Sequence, residues 1–581
     1  AQAILAQAAR EIPFRIMAAS FTMTTSDSKI GSALGDSKSG SITGSVVVPL
    51  AGLTSFGVTC TACQLLGSLH AFGNHSQAQI CGAIVLCAVV SAWITAEVAA
   101  LFTRDVASDN ENTALLSSPP IEGGPRADVE QASPLAAAFV AQLGPLRAGA
   151  EVAAILTFMY ICDRTTLIPE IEKVESVRYF WAVWGLIVLG AVFTIRQVKS
   201  GTDKPTQREQ TDEWKGWMQL MFLLYHYFHY EGIYNAIRVY IAGYVFMTGF
   251  GNLSYYAKTK DFSLRRMGQM LFRLNFFGFC VCIMLNNELM LYYICPMHTF
   301  FTLLVILAMY IQQSLNDTKG GLWLKFLVTM AVTEIIYDGP PVIFKLLFGT
   351  IPYERGWFEF HDPLHPEFTD ALHEWHFRSG LDRMNWIVGM MLALHVPDFA
   401  ALMAKIESLP EASKRLSQAA VASVALLAFG LWAHFVFMKD KYSYNEVHWR
   451  TSWIPLVCFL VLRNLTSTVR SYYLYFFAWI GQYTLETYIL QFHIWMKTTG
   501  INGSPKTLLG WLPVTGSISF FANFAVASAI YLFVSIRFFN ATVALKDVLI
   551  PKDVTWSSVL APLVLGAACW TASSQVMAMR A

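Results

Sequence analysis

The sequence predicts an all-α, polytopic integral membrane protein with about 11–15 transmembrane helices and no soluble catalytic domain. Hydrophobic residues make up 55% of the 581 residues and charged residues only 14%, whereas soluble domains carry about 25% charged residues. Apolar runs of roughly 18 residues or more, long enough to cross a bilayer as a helix, recur along the chain. Aromatic residues reach 14%, as expected if Trp and Tyr lie at both membrane interfaces. The net charge of +1 argues against nucleic acid as a partner.

Composition divides the chain into an arm, two groups of apolar segments and a linker between them. Residues 1–45 are rich in Ser, Gly, Thr and Ala and are predicted to form a disordered arm. Residues 46–197 hold the N-terminal transmembrane helices, with a polar loop at 103–146. Residues 198–216 are a charged linker, and 217–576 form the core membrane domain. The predicted apolar segments are 46–69, 79–102, 147–162, 178–197, 217–230, 233–256, 272–286, 292–312, 321–348, 384–404, 415–438, 451–463, 471–496, 516–537 and 557–576.

The most basic short loop, 257–273, is predicted to face the cytoplasm, because Lys and Arg concentrate in cytoplasmic loops. Successive loops alternate between the two sides of the membrane, so every second loop before and after 257–273 is assigned to the same side as 257–273. The other predicted cytoplasmic loops are 198–216, 313–320, 405–414, 463–470 and 538–556. The basic segment 439–450 fits this assignment poorly, since it falls on the luminal side.

Histidines concentrate on the predicted luminal side. All of the 13 histidines except His395 fall in loops or helix ends on that side. The polar loop 349–383 carries His361, His365, His373, Glu374, His376, Arg378, Asp382 and Arg383. Two interpretations remain open: the histidines favour the interface without forming a site, or they line a cavity at the luminal face.

Ionisable residues inside apolar segments are costly, and they are therefore candidates for a functional role. Glu231, Asn235 and Arg238 recur at helical spacing and are predicted to share one helix face. The alternative interpretation of this set is a structural ion pair. Arg273, at the mouth of a segment, is predicted to bind a phosphate or a carboxylate; the alternative is an anchor at the interface.

Histidine acting as a general base is the chemistry that this pattern favours, because its pKa lies near working pH. Glu486 and His493 are seven residues apart and share a predicted helix face, so the carboxylate would orient the imidazole indirectly. Arg378 or Arg383 would hold an anion or a developing oxyanion. The alternative is a solvated loop without catalytic consequence. The two histidines of the HEWH stretch lack the i, i+4 spacing of a zinc-binding helix, and no metal is predicted.

Several stretches of the sequence resemble a known family over roughly residues 147–576. These stretches are DEWKGWMQ (212–219), YNAIRVYIAGYVFMTGFGNLSYY (234–256), LFRLNFF (271–277), LYYICPMHTFFTL (291–303), LHEWHFRSGLDR (372–383), RTSWIP (450–455) and FFAWIGQYTLETYILQFHIW (476–495). They resemble the plant reduced-wall-acetylation proteins, which belong to the capsule-acetylation family of multi-span membrane O-acyltransferases. That family also includes the animal sialic acid O-acetyltransferase.

The resemblance implies a multi-pass Golgi membrane protein needed for O-acetylation of cell-wall or other polysaccharides, with acetyl-CoA as the acetyl donor. Fungal and animal members carry a luminal serine-esterase-like domain before the spans, and this sequence shows no counterpart of it. The serine triad of the animal enzyme is therefore not carried over to this chain. A separate luminal polysaccharide acetyltransferase is an expected partner, together with membrane lipid and a polysaccharide or carrier acceptor.

The first hypothesis is an O-acetyltransferase that moves acetyl from cytoplasmic acetyl-CoA across the membrane to a hydroxyl of a glycan or a carrier. The predicted catalytic residues are His373, His376, His493, Glu486, Asp382, His226 and His298. The predicted substrate-binding residues are Arg378, Arg383, Arg238, Asn235, Glu231, Arg273, Arg265 and Arg266, of which the last three would meet CoA phosphates at the cytoplasmic mouth. The second hypothesis is a transporter of an intact acetyl donor, with buried arginines as ligands along its pathway.

Overall fold

A computed structural model describes residues 75–116, 139–198, 205–349, 357–551 and 556–580. The predicted arm and the first predicted apolar segment, 46–69, lie outside the described residues. The helices are α1 (Gln77–Leu116), α2 (Leu143–Arg164), α3 (Val177–Val192), α4 (Arg208–Phe228), α5 (Tyr234–Thr259), α6 (Leu264–Leu285), α7 (Ile294–Tyr310), α8 (Lys319–Asp338), α9 (Pro341–Phe348), α10 (His373–Leu381), α11 (Asn385–Glu407), α12 (Glu411–Trp432), α13 (Lys441–Thr451), α14 (Trp453–Asn464), α15 (Ser467–Ser471), α16 (Tyr475–Ile480), α17 (Thr484–Leu490), α18 (Ser517–Leu549) and α19 (Trp556–Arg580).

Short irregular elements and strands complete the fold. Single 3-10 turns lie at Glu231–Ile233, Leu289–Tyr292 and Gln313–Asp317, and π-helical turns lie at Ala433–Phe437 and Gln491–Trp495. The strands are β1 (Glu170–Glu172), β2 (Ile195–Gln197), β3 (Tyr472–Leu474), β4 (Met496–Thr498) and β5 (Pro505–Leu509). Antiparallel pairing gives one sheet in the order β1-β5-β4 and a second sheet of β2 and β3.

Seven helices among the described residues are long and apolar enough to cross a membrane. They are Gln77–Leu101, Leu143–Arg164, Leu264–Leu285, Lys319–Asp338, His373–Glu407 (α10 followed by α11), Glu411–Phe437 (α12 followed by a π-helical turn) and Ser517–Leu549. The helices α3, α7 and α14 are shorter but also apolar. The predicted all-α, polytopic membrane fold is confirmed.

Several predicted boundaries are wrong. The segment 321–348 is two helices, α8 and α9, because Gly339 and the two prolines after it interrupt the backbone hydrogen bonding. The segment 471–496 is not one continuous helix: it holds β3, α16, α17 and a π-helical turn. The predicted linker 198–216 contains the first turns of α4, and α1 continues into the predicted loop 103–146.

Loops that the sequence assigns to one side of the membrane contact one another in the structure. On the predicted cytoplasmic side, Lys260 Nζ lies 2.9 Å from Asp317 Oδ1, and Arg470 Nη2 lies 2.6 Å from Glu407 Oε1. On the opposite side, β1 pairs with β5. The grouping of these loops therefore agrees with the alternation predicted from Lys and Arg. Which compartment each group faces stays a prediction.

Helices α5 and α11 cross in close contact. A Cβ atom built on Gly249 would lie 1.8 Å from the carbonyl oxygen of Trp386, and one built on Gly389 would lie 2.0 Å from that of Phe246. Only glycine allows the two backbones to approach so closely. This crossing brings the first turns of α5 next to the turn that joins α10 to α11, where the candidate site lies.

Candidate active site

The centre of the candidate site is the buried carboxylate of Asp382, in the turn between α10 and α11. Its Oδ2 accepts a hydrogen bond of 2.9 Å from Nη2 of Arg238, in the second turn of α5. Its Oδ1 lies 3.3 Å from Nε2 of His448 and 3.3 Å from Nδ2 of Asn385. Asp382 and His448 are 0% exposed and Arg238 is 1% exposed. Pairing offsets part of the cost of desolvating charges at such depth, and these contacts fix the position of the carboxylate.

His448, on α13, has its tautomer set by its neighbours. The Nδ1 atom lies 2.9 Å from the hydroxyl of Tyr444, one helical turn away. The Asp382 carboxylate accepts a hydrogen bond from the Arg238 guanidinium, and as an acceptor it requires that Nε2 of His448 carry the proton while Nδ1 accepts from the tyrosine. Burial lowers the pKa of His448, which favours the neutral ring. The sequence analysis assigned no role to His448. The i, i+4 spacing of Tyr444 and His448, which places both side chains on one helix face, was the pattern that indicated this pair.

His298, on α7, has one ring nitrogen, Nε2, without a hydrogen-bond partner among the described residues. Its Nδ1 lies 2.7 Å from the hydroxyl oxygen of Thr248, and that hydroxyl donates to the carbonyl of Tyr244 at 3.2 Å. Nδ1 of His298 is therefore the donor, and the lone pair of this neutral ring is on Nε2. The ring is half-buried, and the negative charge of Asp382 acts on it. A neutral imidazole with an unprotonated nitrogen is suited to accept a proton.

Arg378 and His226 complete what we call the inner polar cluster, defined as Arg238, Asp382, His298, Arg378 and His226. Arg378 Nε donates to Glu374 Oε1 at 2.7 Å, and its guanidinium lies over the ring of Tyr293 at 4.9 Å. The charge of Arg378 acts on both His226 and Arg238. The side chain of Arg378 is 31% exposed. A small polar molecule can therefore contact this part of the cluster.

His493 lies outside this cluster, in a buried chain of its own. Its Nε2 is 2.6 Å from the hydroxyl of Tyr292, and its Nδ1 is 3.3 Å from Oδ2 of Asp163. Asn287 Nδ2 donates to the same hydroxyl at 3.0 Å, which directs the tyrosine proton to His493. Arg164 and the backbone N–H of Thr498 bind the Asp163 carboxylate. His493 is 0% exposed, and its polar partners are the Tyr292 hydroxyl and the Asp163 carboxylate.

The predicted orientation of His493 by Glu486 is wrong. The Glu486 carboxylate binds Arg273 in a two-pronged ion pair, with distances of 2.5 Å to Nη1 and 3.0 Å to Nη2. The guanidinium also lies over the ring of Phe539 at 4.8 Å. The helix α17 ends at Leu490 and a π-helical turn follows, so Glu486 and His493 have different partners. Arg273 is thereby already neutralised, which weakens its predicted role toward a phosphate.

The histidines of the polar loop do not join the cluster. His373 is exposed and its ring stacks on Phe368 at 4.5 Å. His376 is exposed, and its Nε2 lies 3.2 Å from the carbonyl oxygen of Tyr337. The predicted histidines therefore do not line a single cavity. His226 and His298 belong to the inner polar cluster, whereas the other predicted histidines do not.

Arg383 contacts two carboxylates and an aromatic ring outside the inner polar cluster. It is bound by Asp338 and lies 3.4 Å from Oε2 of Glu334. Its guanidinium lies over the ring of Trp449 at 3.8 Å. These contacts fix the end of α8 against α13, which is a structural role for this side chain.

The remaining predicted substrate-binding residues are dispersed. Glu231 lies in a 3-10 turn before α5 and is exposed, so it does not share a helix face with Arg238. Asn235 Nδ2 donates to the carbonyl oxygens of residues 437 and 439 at 2.8 and 2.9 Å. Arg265 and Arg266 lie at the basic end of α6, where Arg266 is over the Tyr255 ring at 4.3 Å. Among the described residues, no three His, Cys, Asp or Glu side chains are arranged to hold a metal ion.

Comparisons with known proteins agree with a membrane acyltransferase. Residues 70–560 match the family described as the 10 TM acyl transferase domain found in Cas1p. The chain is 30% identical over 455 residues to the N-acetylneuraminate (7)9-O-acetyltransferase of Danio rerio, an alignment that covers 75% of this chain and 54% of that protein. The chain thus spans about half the length of this curated relative. No solved structure matches the chain. Because the family match extends over most of its length, the chain belongs to the ten-span membrane acyltransferase family found in Cas1p.

Proposed function

We propose that this chain is a membrane O-acetyltransferase that transfers acetyl from acetyl-CoA to a hydroxyl of a carbohydrate. Membership of the membrane acyltransferase family supports an acyl transfer reaction. The similar Danio rerio protein is named for the O-acetylation of N-acetylneuraminate, which supports acetyl as the acyl group and a carbohydrate as the acceptor. The acceptor of this chain is a cell-wall or other polysaccharide, reached directly or through a carrier.

The observation that carries the proposal is the state of His298 in the inner polar cluster. Its Nε2 takes the proton of the acceptor hydroxyl while the oxygen attacks the acetyl carbonyl carbon. The carbon–sulfur bond breaks, and the imidazolium returns the proton to the CoA thiolate. The products are the acetyl ester and free CoA. Asp382 stabilises the transient imidazolium, while Arg378 and His226 hold the substrate from the accessible side.

The wider setting is part of the same proposal. Acetyl-CoA approaches from the cytoplasm, past the basic end of α6, and the acetyl group is delivered on the luminal side of the Golgi membrane. The core domain, 217–576, carries the reaction, and its polar loop 349–383 borders the luminal mouth. A separate luminal polysaccharide acetyltransferase is the proposed partner that completes delivery to the polymer.

Reconstituted protein in liposomes, incubated with acetyl-labelled CoA on the outside, tests the proposal. An acetyltransferase releases free CoA outside while the label moves to the protein, an acceptor or the interior. A transporter instead accumulates intact acetyl-CoA inside, and this result would refute the proposed function.

The matched variants are His298→Ala and His434→Ala. We expect the first to lower the rate of CoA release by about 10²- to 10⁴-fold, the usual contribution of a general base. His434 is exposed on a π-helical turn and contacts the ring of Phe435, so its removal leaves the rate unchanged. Equal rates of CoA release in the two variants would show that His298 is not the general base.

A further inference from the structure

The guanidinium of Arg238 has donors that the protein leaves unused. Its Nη2 is bound to Asp382, but the buried Nε and Nη1 atoms find no acceptor among the described residues. The side chain is 1% exposed. A buried donor without a partner lowers the stability of the fold, and the cost is larger when the group is charged. Such groups are rare in native structures and call for an explanation by function or by an unseen partner.

The surroundings of Arg238 indicate which chemical group would use these donors. Two guanidinium groups, those of Arg238 and Arg378, lie in the cluster, and each has its own carboxylate, Asp382 and Glu374. The four charges sum to zero, which gives little attraction to a phosphate that carries a full negative charge. A neutral carbonyl oxygen that becomes negative only during the reaction fits these donors better.

We propose that Arg238 forms an oxyanion subsite for the carbonyl oxygen of the transferred acetyl group, and that His448 positions Arg238 through Asp382. The inference rests on the proposed acetyl transfer. As the acceptor oxygen adds to the carbonyl carbon, the electron pair of the carbonyl double bond moves to its oxygen. Nε and Nη1 of Arg238 donate to that oxygen and keep their protons. The electron pair returns when the bond to the CoA sulfur breaks.

His448 does not contact the substrate; it acts through its hydrogen bond to Asp382 and the hydrogen bond between Asp382 and Arg238. Its Nε2–H is directed at Oδ1 of Asp382, while Oδ2 of the same carboxylate binds Arg238. The hydroxyl of Tyr444 holds Nδ1 and so keeps the proton on Nε2. Without His448, the carboxylate loses one of the bonds that fix its plane, and the guanidinium is free to rotate with it. A misplaced oxyanion donor lowers the rate of the chemical step without changing the binding of acetyl-CoA.

The test measures kcat and KM for CoA release in liposomes, together with thermal unfolding. The variants are Arg238→Lys, His448→Leu and His448→Gln. A lysine keeps the charge but not the two parallel donors, so Arg238→Lys lowers kcat by about 10²- to 10³-fold, as for loss of an oxyanion donor. His448→Leu lowers kcat by about tenfold, the effect of about 1.4 kcal/mol. His448→Gln, which can still donate to Asp382, recovers part of this loss. KM for acetyl-CoA changes by less than about twofold in all three.

Arg470→Lys is the matched control. Arg470 is 2% exposed, like Arg238, but it lies on the opposite side of the domain, where it binds Glu407 and the carbonyl oxygen of Asn464. Its replacement is expected to affect unfolding and not kcat. Wild-type kcat in Arg238→Lys or in His448→Leu would overturn the inference while leaving the proposed function intact. A wild-type protein that releases no CoA would refute the proposed function, and the inference with it.

Discussion

Replacing Arg273 by methionine tests how strongly the ion pair inside the membrane domain stabilises the fold. The carboxylate of Glu486 is 0% exposed, and the 2.5 and 3.0 Å contacts with Arg273 supply its positive charge. Breaking a buried pair by removing one partner costs about 3–5 kcal/mol, because the other charge stays buried without compensation. Arg273 is 26% exposed, so protein encloses the pair only partly. We therefore expect a loss near the lower limit, about 3 kcal/mol.

The assay is denaturant titration of the purified protein in detergent micelles. The double variant Arg273→Met with Glu486→Gln removes both charges, and it is expected to unfold within about 1 kcal/mol of the wild type. The control is Lys260→Met, which breaks the loop ion pair with Asp317, where both side chains are more than half exposed (65% and 61%). That loss is expected to be about 0–1 kcal/mol. A double variant as unstable as the single one would refute the electrostatic reasoning.

The double variant also tests the predicted role of Arg273 toward CoA. If the guanidinium binds a CoA phosphate in the functional state, KM for acetyl-CoA rises in a protein that is still folded. If KM is unchanged, Arg273 is a structural partner of Glu486 and its assignment as a substrate ligand is wrong.

Two further predictions concern packing and pH. Gly249→Ala is expected to destabilise the protein by about 1–3 kcal/mol in thermal unfolding, because its Cβ would lie 1.8 Å from a backbone oxygen of α11. Gly251→Ala, with nothing within 4 Å, is the control, and equal effects would contradict the close crossing. Burial lowers the pKa of Lys173, in the loop after β1, from 10.5 to about 8. The folded state therefore disfavours the charged amine, and stability rises between pH 8 and 10.5. Lys173→Met should remove this rise; an unchanged pH profile would contradict the shift.

The sequence identified some residues of the candidate site, but it did not predict which of them contact one another. Arg238 and Asp382 were both singled out as ionisable groups in or beside apolar segments, and the structure joins them across α5 and α10. The sequence spacing also suggested a partnership of Glu486 with His493, which the structure replaces by two separate pairs. Spacing along one helix indicates which residues share a face. It does not indicate which charged side chain from a distant helix pairs with a buried group.

The polar loop shows the same limit. His373 and His376 attracted attention because four histidines fall within 349–383, and both are exposed at the surface. His448, by contrast, lies in a segment that fitted the predicted topology poorly, yet it is completely buried. A density of ionisable residues in a sequence does not distinguish solvated side chains from buried ones, since burial is decided by what packs on top of them.

The sequence by itself determined that this chain is a polytopic helical membrane protein and which loops share a side. Those properties follow from local hydrophobicity and charge, because a bilayer requires long apolar helices and the distribution of Lys and Arg orients them. Only the tertiary structure decided where helices break, which charges pair, and that Asp382 binds Arg238 and His448. Those contacts join residues 66 to 144 positions apart, and they depend on the close crossing of α5 and α11, which no local pattern specifies.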